Sequence, residues 1–234
     1  MEQESAPRSA RVRVREELTR EIKQAARRQL AEGGSAQLSL RAVARELGMV
    51  SSAIYRYYPS RDELLTALII DAYDAAGSAA EQAESDVRRT DFAGRWLAVA
   101  RAVREWARSN PQEYALIFGS PVPGYRAPSD TVHPATRIPL LLLQILVQAG
   151  EAGQYPATAG GPIPRPVRAD LKALRQLVAP ELAEHQLARA VMAWTQLIGS
   201  VSFELFGHLV GAITDHDSYF DYQMGRIGHD LGLA

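Results

Sequence analysis

The sequence predicts an all-α protein, and three observations carry that expectation. Apolar residues recur at three- and four-residue spacing through most of the chain, the period of a helix with one buried face. Glycine and proline, 17 and 13 in 234 residues, gather in a few stretches instead of recurring as the regular turn signals that a sandwich of short strands needs. Aromatic residues make up 7% against a hydrophobic share of 47%, so the core is aliphatic and alanine-rich, which suits helices.

Each element can be justified in order. Residues 1–15 hold Arg8, Arg11, Arg13 and Arg15 without the apolar run of a signal peptide, and are expected as a mobile basic arm. From Glu16 to Glu32, Leu18, Ile22, Ala26 and Leu30 make one helical face, which Gly33-Gly34 ends. Ser39 then caps a short helix with Val43, Ala44 and Leu47 inward, stopped by Gly48. After a tight turn a second short helix is expected over residues 50–58, ended by Pro59. Ser60 and Glu63 form a capping-box pattern opening a long helix through Leu64, Leu65, Leu68 and Ile69. Two short helices joined by a glycine turn and flanked by longer ones is the layout of a helix-turn-helix.

Further helices are expected at residues 91–109, 111–118, from 131 or 134 to about 149, and at 167–178, 181–213 and 216–231. Residues 120–128 form a Pro/Gly-rich break, and half of residues 153–166 are Gly or Pro, predicting a long mobile loop. The expected organisation is a basic arm (1–15), a three-helix DNA-reading domain (16–65) and a larger helical ligand-binding and dimerisation domain (66–234).

Charge and composition narrow the function. The formal net charge of −1 hides an asymmetry: residues 1–61 carry 12 Lys/Arg against 7 Asp/Glu, and residues 62–234 carry 14 against 20. The cationic end is the candidate polyanion surface, because phosphate neutralisation supplies most sequence-independent DNA affinity. No cysteine is present, which removes disulfides and thiolate metal sites and fits a reducing cytoplasm as the expected compartment.

On the expected recognition helix, Val50, Ile54 and Tyr58 form the stripe that faces the small domain's core. Ser52 and Arg56 lie opposite, with Ser51, Ala53 and Tyr55 on the flanks. Small hydrogen-bonding side chains and an arginine suit a major groove. Tyr57 falls close to the core stripe, and only the end of the helix would free it.

The run from Leu38 to Leu65 resembles the N-terminal signature of TetR-type repressors. It carries Ser39, Arg41, Ala44, Leu47-Gly48, Ser51, Ile54-Tyr55-Arg56-Tyr57-Tyr58, Pro59-Ser60 and Leu64-Leu65. The resemblance implies that Tyr55, Tyr57 and Arg61 contact phosphates with Ser39 and Arg41 nearby, while Ser51, Ser52, Ala53 and Arg56 approach base edges. Arg61 stands where the family usually has lysine, and Ala53 and Ile54 where it often has glycine or threonine; neither change removes a charge. The later part, through residues 118–125 and 194–209, resembles less specifically a branch with a Trp/His/Gly-type ligand domain, although Ile198-Gly199 stand where that branch has His-Gly.

Between Ala188 and Ile213 only Arg189 and Glu204 are formally charged, and apolar residues occur on every side. Such a helix needs cover all round. A membrane span is disfavoured by Gln196, Glu204 and His208 inside the stretch. The expected cover is the domain core on one face and a second copy on the other, with Gly199, Gly207 and Gly211 permitting close approach.

The resemblance further implies a small-molecule effector among the later helices, with Trp96, Trp106, Tyr114, Phe118, Trp194, Phe203 and Phe206 as candidate lining. Glu204 and His208, one helical turn apart, are either polar anchors for it or a buried pair at the dimer seam. An enzyme has little support: no phosphate loop, nucleophile elbow or clustered carboxylates appear, no cofactor is implied, and the five histidines (133, 185, 208, 216 and 229) are scattered. The reading is a homodimeric regulator, a repressor in preference to an activator, released from palindromic operator DNA by its effector. A sequence-neutral DNA-binding protein and a helical small-molecule binder with no DNA role stand as alternatives.

Overall fold

The computed structural model describes residues 6–154 and 161–233. Ten α-helices and no strand occur among them. Their backbone falls into two compact units. The first holds the chain up to Ala72 together with Gln112–Thr131, and the second holds Tyr73–Pro111 and the chain from Val132 onward. The sequence suggested one cut near residue 65; instead a segment beginning at Gln112 joins the N-terminal unit, a long-range association that no local pattern announces.

The first unit contains α1 (Ala6–Gly33), α2 (Leu40–Glu46), α3 (Ser51–Ile54), the start of α4 (Arg61–Ser85) and most of α6 (Pro111–Phe118). Ser39 caps α2, its hydroxyl oxygen accepting from the Ala42 amide at 3.5 Å. Gly48, at φ 65°, ends it with a left-handed cap: the Gly48 amide donates to the Arg45 carbonyl at 3.2 Å and the Met49 amide to that of Ala44 at 2.8 Å. Ser60 Oγ accepts from the Glu63 amide at 3.1 Å, the serine half of the expected capping box. Ile22, Val43, Ala44, Ile54, Leu64 and Leu65 are fully buried and form the centre of this unit.

Three expectations need correction here. The helix predicted from Glu16 begins at Ala6, so residues 6–15, expected as a mobile arm, are helical. The recognition helix predicted over 50–58 is shorter: α3 ends at Ile54, and the Arg56 and Tyr57 amides bond three residues back, to Ala53 and Ile54. Pro59 lies close enough that a longer helix could not be completed. Val50, placed on the core stripe by periodicity, is 75% exposed because it precedes the helix in extended backbone.

The second unit packs α5 (Phe92–Ser109) against α10 (His216–Leu231), α7 (Val132–Glu151) and α9 (Glu184–Leu205), with α8 (Arg165–Val178) on α9. Trp96 of α5 is buried and donates its indole N–H to the Met224 carbonyl at 2.8 Å. Gly228 leaves room for it, since a Cβ there would stand 3.0 Å from the indole. The helix predicted to run to residue 213 stops at Leu205. Gly207, at φ 78°, forms the same left-handed cap as Gly48, with the His208 amide donating to the Phe203 carbonyl at 2.8 Å. Glu204 and His208 therefore do not share a continuous helix. The expected loop at 153–166 falls partly on residues 155–160, outside the described residues, and helix resumes at Arg165. Among the described residues no helix is long and apolar enough to cross a membrane.

Candidate nucleic-acid interface

The turn at Gly48 and the short α3 deliver the site. Ser51, Ser52, Tyr55 and Arg56 are exposed while Ile54 and Tyr58 are buried, so the residues between the two anchors form one surface of α3 and the turn after it. Ala53 is half-buried among them and adds no bulk. Arg56 presents a cation on this surface, and its guanidinium can pair with a base edge bearing two acceptors. Tyr58 is held inward, and burial, aided by the negative charge of Asp71, pushes its phenol up to about 12.

Ser39 and Arg41 lie at the start of α2. The Ser39 hydroxyl oxygen is engaged as a cap acceptor, which leaves its proton available to a phosphate oxygen. Its amide donates to Gln29 Oε1 at 3.1 Å, fixing the start of α2 against α1. Arg41 is exposed.

Arg61 does more than the sequence suggested. Its Nη2 donates to the Ser35 carbonyl at 2.6 Å and its Nε to that of Leu38 at 3.2 Å, stitching the turn before α2 to the first turn of α4. A lysine has one donor head and no fork to span two carbonyls, so the substitution of arginine for the family's usual lysine acquires a structural reason.

Sequence reasoning missed Arg15. Its guanidinium lies over the Tyr57 ring, 5.5 Å from the centroid, and its Nη2 makes a long contact of 3.5 Å with the Arg56 carbonyl. Tyr57 is half-buried under this cover and out of the core, as the early end of α3 allows. The available signal was the helical register of Arg15 with Ile22, hidden by reading residues 1–15 as an arm.

Behind the site, Asp71 of α4 binds Lys23 at 2.7 Å and Arg27 at 2.9 Å, and Arg27 reaches Glu113 of α6 at 2.5 Å. Tyr125 meets the Thr66 hydroxyl at 2.8 Å. These bonds explain why the segment from Gln112 belongs with the helix-turn-helix.

The effector candidates are dispersed. Tyr114 is fully buried and its ring lies 5.1 Å from that of Phe118, both within the first unit. Trp96 and Trp194 line a cavity of about 230 Å³ in the second unit, enclosed by α7, α8 and α9, with Pro139, Leu143, Leu146 and Leu187 among its walls. Trp106 is buried outside that lining. Phe203 and Phe206 are about half exposed, and the His208 ring stands 5.1 Å from that of Phe203. Glu204 is clasped by Arg104 through two bonds of 2.7 and 2.8 Å, and Arg104 also binds Asp217 at 2.7 Å. The carboxylate thus braces α5, α9 and α10 and is not free to anchor a ligand. Among the described residues no His/Asp/Glu group could hold a metal ion.

Comparison with known proteins bears directly on the helix-turn-helix. Residues 22–68 match the family model described as bacterial regulatory proteins, tetR family, and residues 96–227 match that of the tetracyclin repressor-like C-terminal domain. The chain is 39% identical over 212 residues to the HTH-type transcriptional regulators Rv1816 of Mycobacterium tuberculosis and Mb1846 of Mycobacterium bovis, covering 90% of each chain compared. The crystal structure of the protein SCO4313 superposes with a TM-score of 0.77 at 36% identity, over 92% of this chain and 97% of that one. With an α2–turn–α3 unit presenting Arg56 and Tyr55, and both its N-terminal and C-terminal parts matched, the chain belongs to the TetR family of helix-turn-helix transcriptional regulators, DNA-binding proteins and not enzymes.

Proposed function

We propose that this protein is a homodimeric repressor that holds a palindromic operator and leaves it when a small apolar molecule occupies the second unit. Ser51, Ser52, Ala53 and Arg56 read base edges. Ser39, Arg41, Tyr55, Tyr57 and the remaining donors of Arg61 take phosphates. The observation that carries this reading is the isolation of Arg56 and Tyr55 on an exposed surface bounded by the buried Ile54 and Tyr58. The electropositive N-terminal quarter of the chain supports it.

The second copy is proposed to cover α9 and α10. Met192, Phe203, Phe206, Val210 and Tyr222, on or just after these helices, are between 46% and 79% exposed, and large apolar side chains left in water are a usual mark of an interaction surface. Two-fold pairing would give two reading heads and a palindromic site with half-sites one helical turn or more apart, about 34 Å.

The effector class follows from the cavity. Its walls are apolar apart from the Thr136 hydroxyl and the Trp194 ring, so an ionised ligand would lose its hydration without a partner. An engineered cavity of about 150 Å³ holds one benzene; by that scale the 230 Å³ here suits an uncharged, compact molecule of roughly ten heavy atoms.

The test is binding of the full chain to its own upstream region at several salt concentrations, with Arg56→Ala and Tyr55→Ala alongside. One short palindrome should be preferred. Arg56→Ala should lower that preference by about 1–3 kcal/mol at one base pair per half-site, whereas Tyr55→Ala should weaken all sequences alike. Binding without sequence preference, indifferent to Arg56, would overturn the reading.

A further inference from the structure

The start of α3 differs from those of the helices on either side of it. Ser39 caps α2 and Ser60 caps the first turn of α4, whereas α3 opens on Val50, whose side chain has no acceptor for the free amides. Serine, threonine, aspartate and asparagine are the residues that cap well, so valine leaves the first turn of α3 weaker than its neighbours'. Val50 is also left in water. At 75% it is the most exposed large apolar side chain among the described residues of the first unit. A lone exposed valine is ordinary on a protein surface. This one serves neither the cap nor the core, and it adjoins Ser51 and Ser52 of the reading surface.

The backbone holds Val50 in place from both sides. The Met49 amide donates to the Ala44 carbonyl at 2.8 Å before it, and the Ala53 amide donates to the Val50 carbonyl at 2.8 Å after it. Between these bonds the residue is extended, at φ −63° and ψ 130°, and so stands outside the helical register that takes Ile54 into the core. Branching at Cβ restricts χ1, so the methyls have little rotamer freedom to lose on contact.

The chemistry of the surrounding residues says what those methyls can recognise. Arg56 can take the two acceptors of guanine, while the Ser51 and Ser52 hydroxyls donate or accept and so pair with either kind of base edge. Thymine marks its pair in the major groove with a 5-methyl group, to which an apolar side chain is the complement. Ala53 is short and half-buried, which leaves Val50 as the exposed aliphatic group.

We infer that Val50 is a specificity-determining residue that reads the 5-methyl group of one thymine in each half-site. This inference rests on the reading of Ser51–Arg56 as the operator surface, with which Val50 is continuous. Contact between the valine and thymine methyls removes apolar surface of both from water. Cytosine carries hydrogen at the same carbon and gains nothing from it. Val50 precedes α3 and Arg56 follows it, so the two read different base pairs.

The experiment uses the full chain and a palindrome selected from a random pool. Each thymine is replaced in turn by deoxyuridine, which removes the methyl and nothing else. Wild type should lose about fourfold in affinity per half-site at one thymine, the factor for one methyl taken out of contact. That pair should differ from the one at which Arg56→Ala relaxes preference. Val50→Ser and Val50→Ala should each bind the thymine and uracil duplexes equally, and thermal denaturation should find the serine variant no less stable than wild type, because serine supplies the missing cap. Indifference of the wild type to every uracil replacement, or full uracil sensitivity in both variants, would overturn the inference and leave the operator reading standing. A wild-type chain that selects no sequence would remove the operator reading, and the role of Val50 with it.

Discussion

At the residue scale, Arg61 and Arg15 show how a cation near the reading surface can serve the fold first. The guanidinium of Arg61 bridges two backbone carbonyls of the loop before α2, those of Ser35 and Leu38. Arg61→Lys keeps the charge and loses the fork, and should cost about 1 kcal/mol in thermal unfolding through loss of one or both bonds. Operator affinity should fall only as far as the Ser39 cap shifts. A variant as stable as wild type would mean that the bridge contributes nothing. By contrast, the buried Arg95 is bound to Glu84 at 2.5 Å, with Arg89 on the same carboxylate at 2.6 Å. Arg95→Met should destabilise by about 3 kcal/mol or more, because it leaves an acid in the core with only an exposed partner; chemical denaturation measures this directly.

At the element scale, the helix ends are set by left-handed glycines. Gly48 and Gly207 share one hydrogen-bond pattern, at φ 65° and 78°, with space for a Cβ but a backbone that resists one. Gly48→Ala and Gly207→Ala should each cost about 1–2 kcal/mol. Gly48→Ala should also depress operator affinity through the turn between α2 and α3, whereas Gly207→Ala should leave the head's intrinsic DNA contacts unchanged. The ion pairs between helices predict the acid limb of stability. Hydrogen bonds from Arg137, Arg104 and Arg101 hold the carboxyls of Glu81, Asp217 and Asp221 below their ordinary values of 4.5, 3.8 and 3.8. A depressed folded-state value gives stabilisation that is complete above the ordinary range and lost as pH falls through the depressed value. Unfolding free energy should therefore decline below about pH 4. The triple amide variant should flatten that limb and leave the neutral-pH slope unchanged; an undiminished acid limb would assign it to other groups.

At the scale of the whole molecule, the proposed ligand and the proposed second copy would act by mass action on one equilibrium. If a dimer forms through α9 and α10, thermal stability should rise with protein concentration, and Phe203→Asp should abolish that dependence and shift the sedimenting species to one chain. The cavity gives the complementary handle. Ala190→Leu places added apolar volume against its wall, and should blunt stabilisation by uncharged aromatic or aliphatic probes without weakening operator binding. A ligand that stabilises the variant as well as wild type would bind elsewhere.

Sequence by itself determined the all-helical class and the helix-turn-helix, because these rest on local chemistry. A serine cap at 39, a left-handed glycine at 48, a proline at 59 and the spacing of Ile54 and Tyr58 act within a few residues of themselves. Helical period alone misplaced Val50 and carried α9 past Leu205, since a continuing apolar run does not reveal which glycine will take positive φ. Only tertiary structure decided the rest. The Arg104–Glu204 clasp joins residues a hundred apart, Arg27 finds Glu113 across a similar distance, and Arg15 finds Tyr57 only once α1 and the turn after α3 are packed together. Such pairings depend on which helix faces meet, and that is settled by the packing of whole elements.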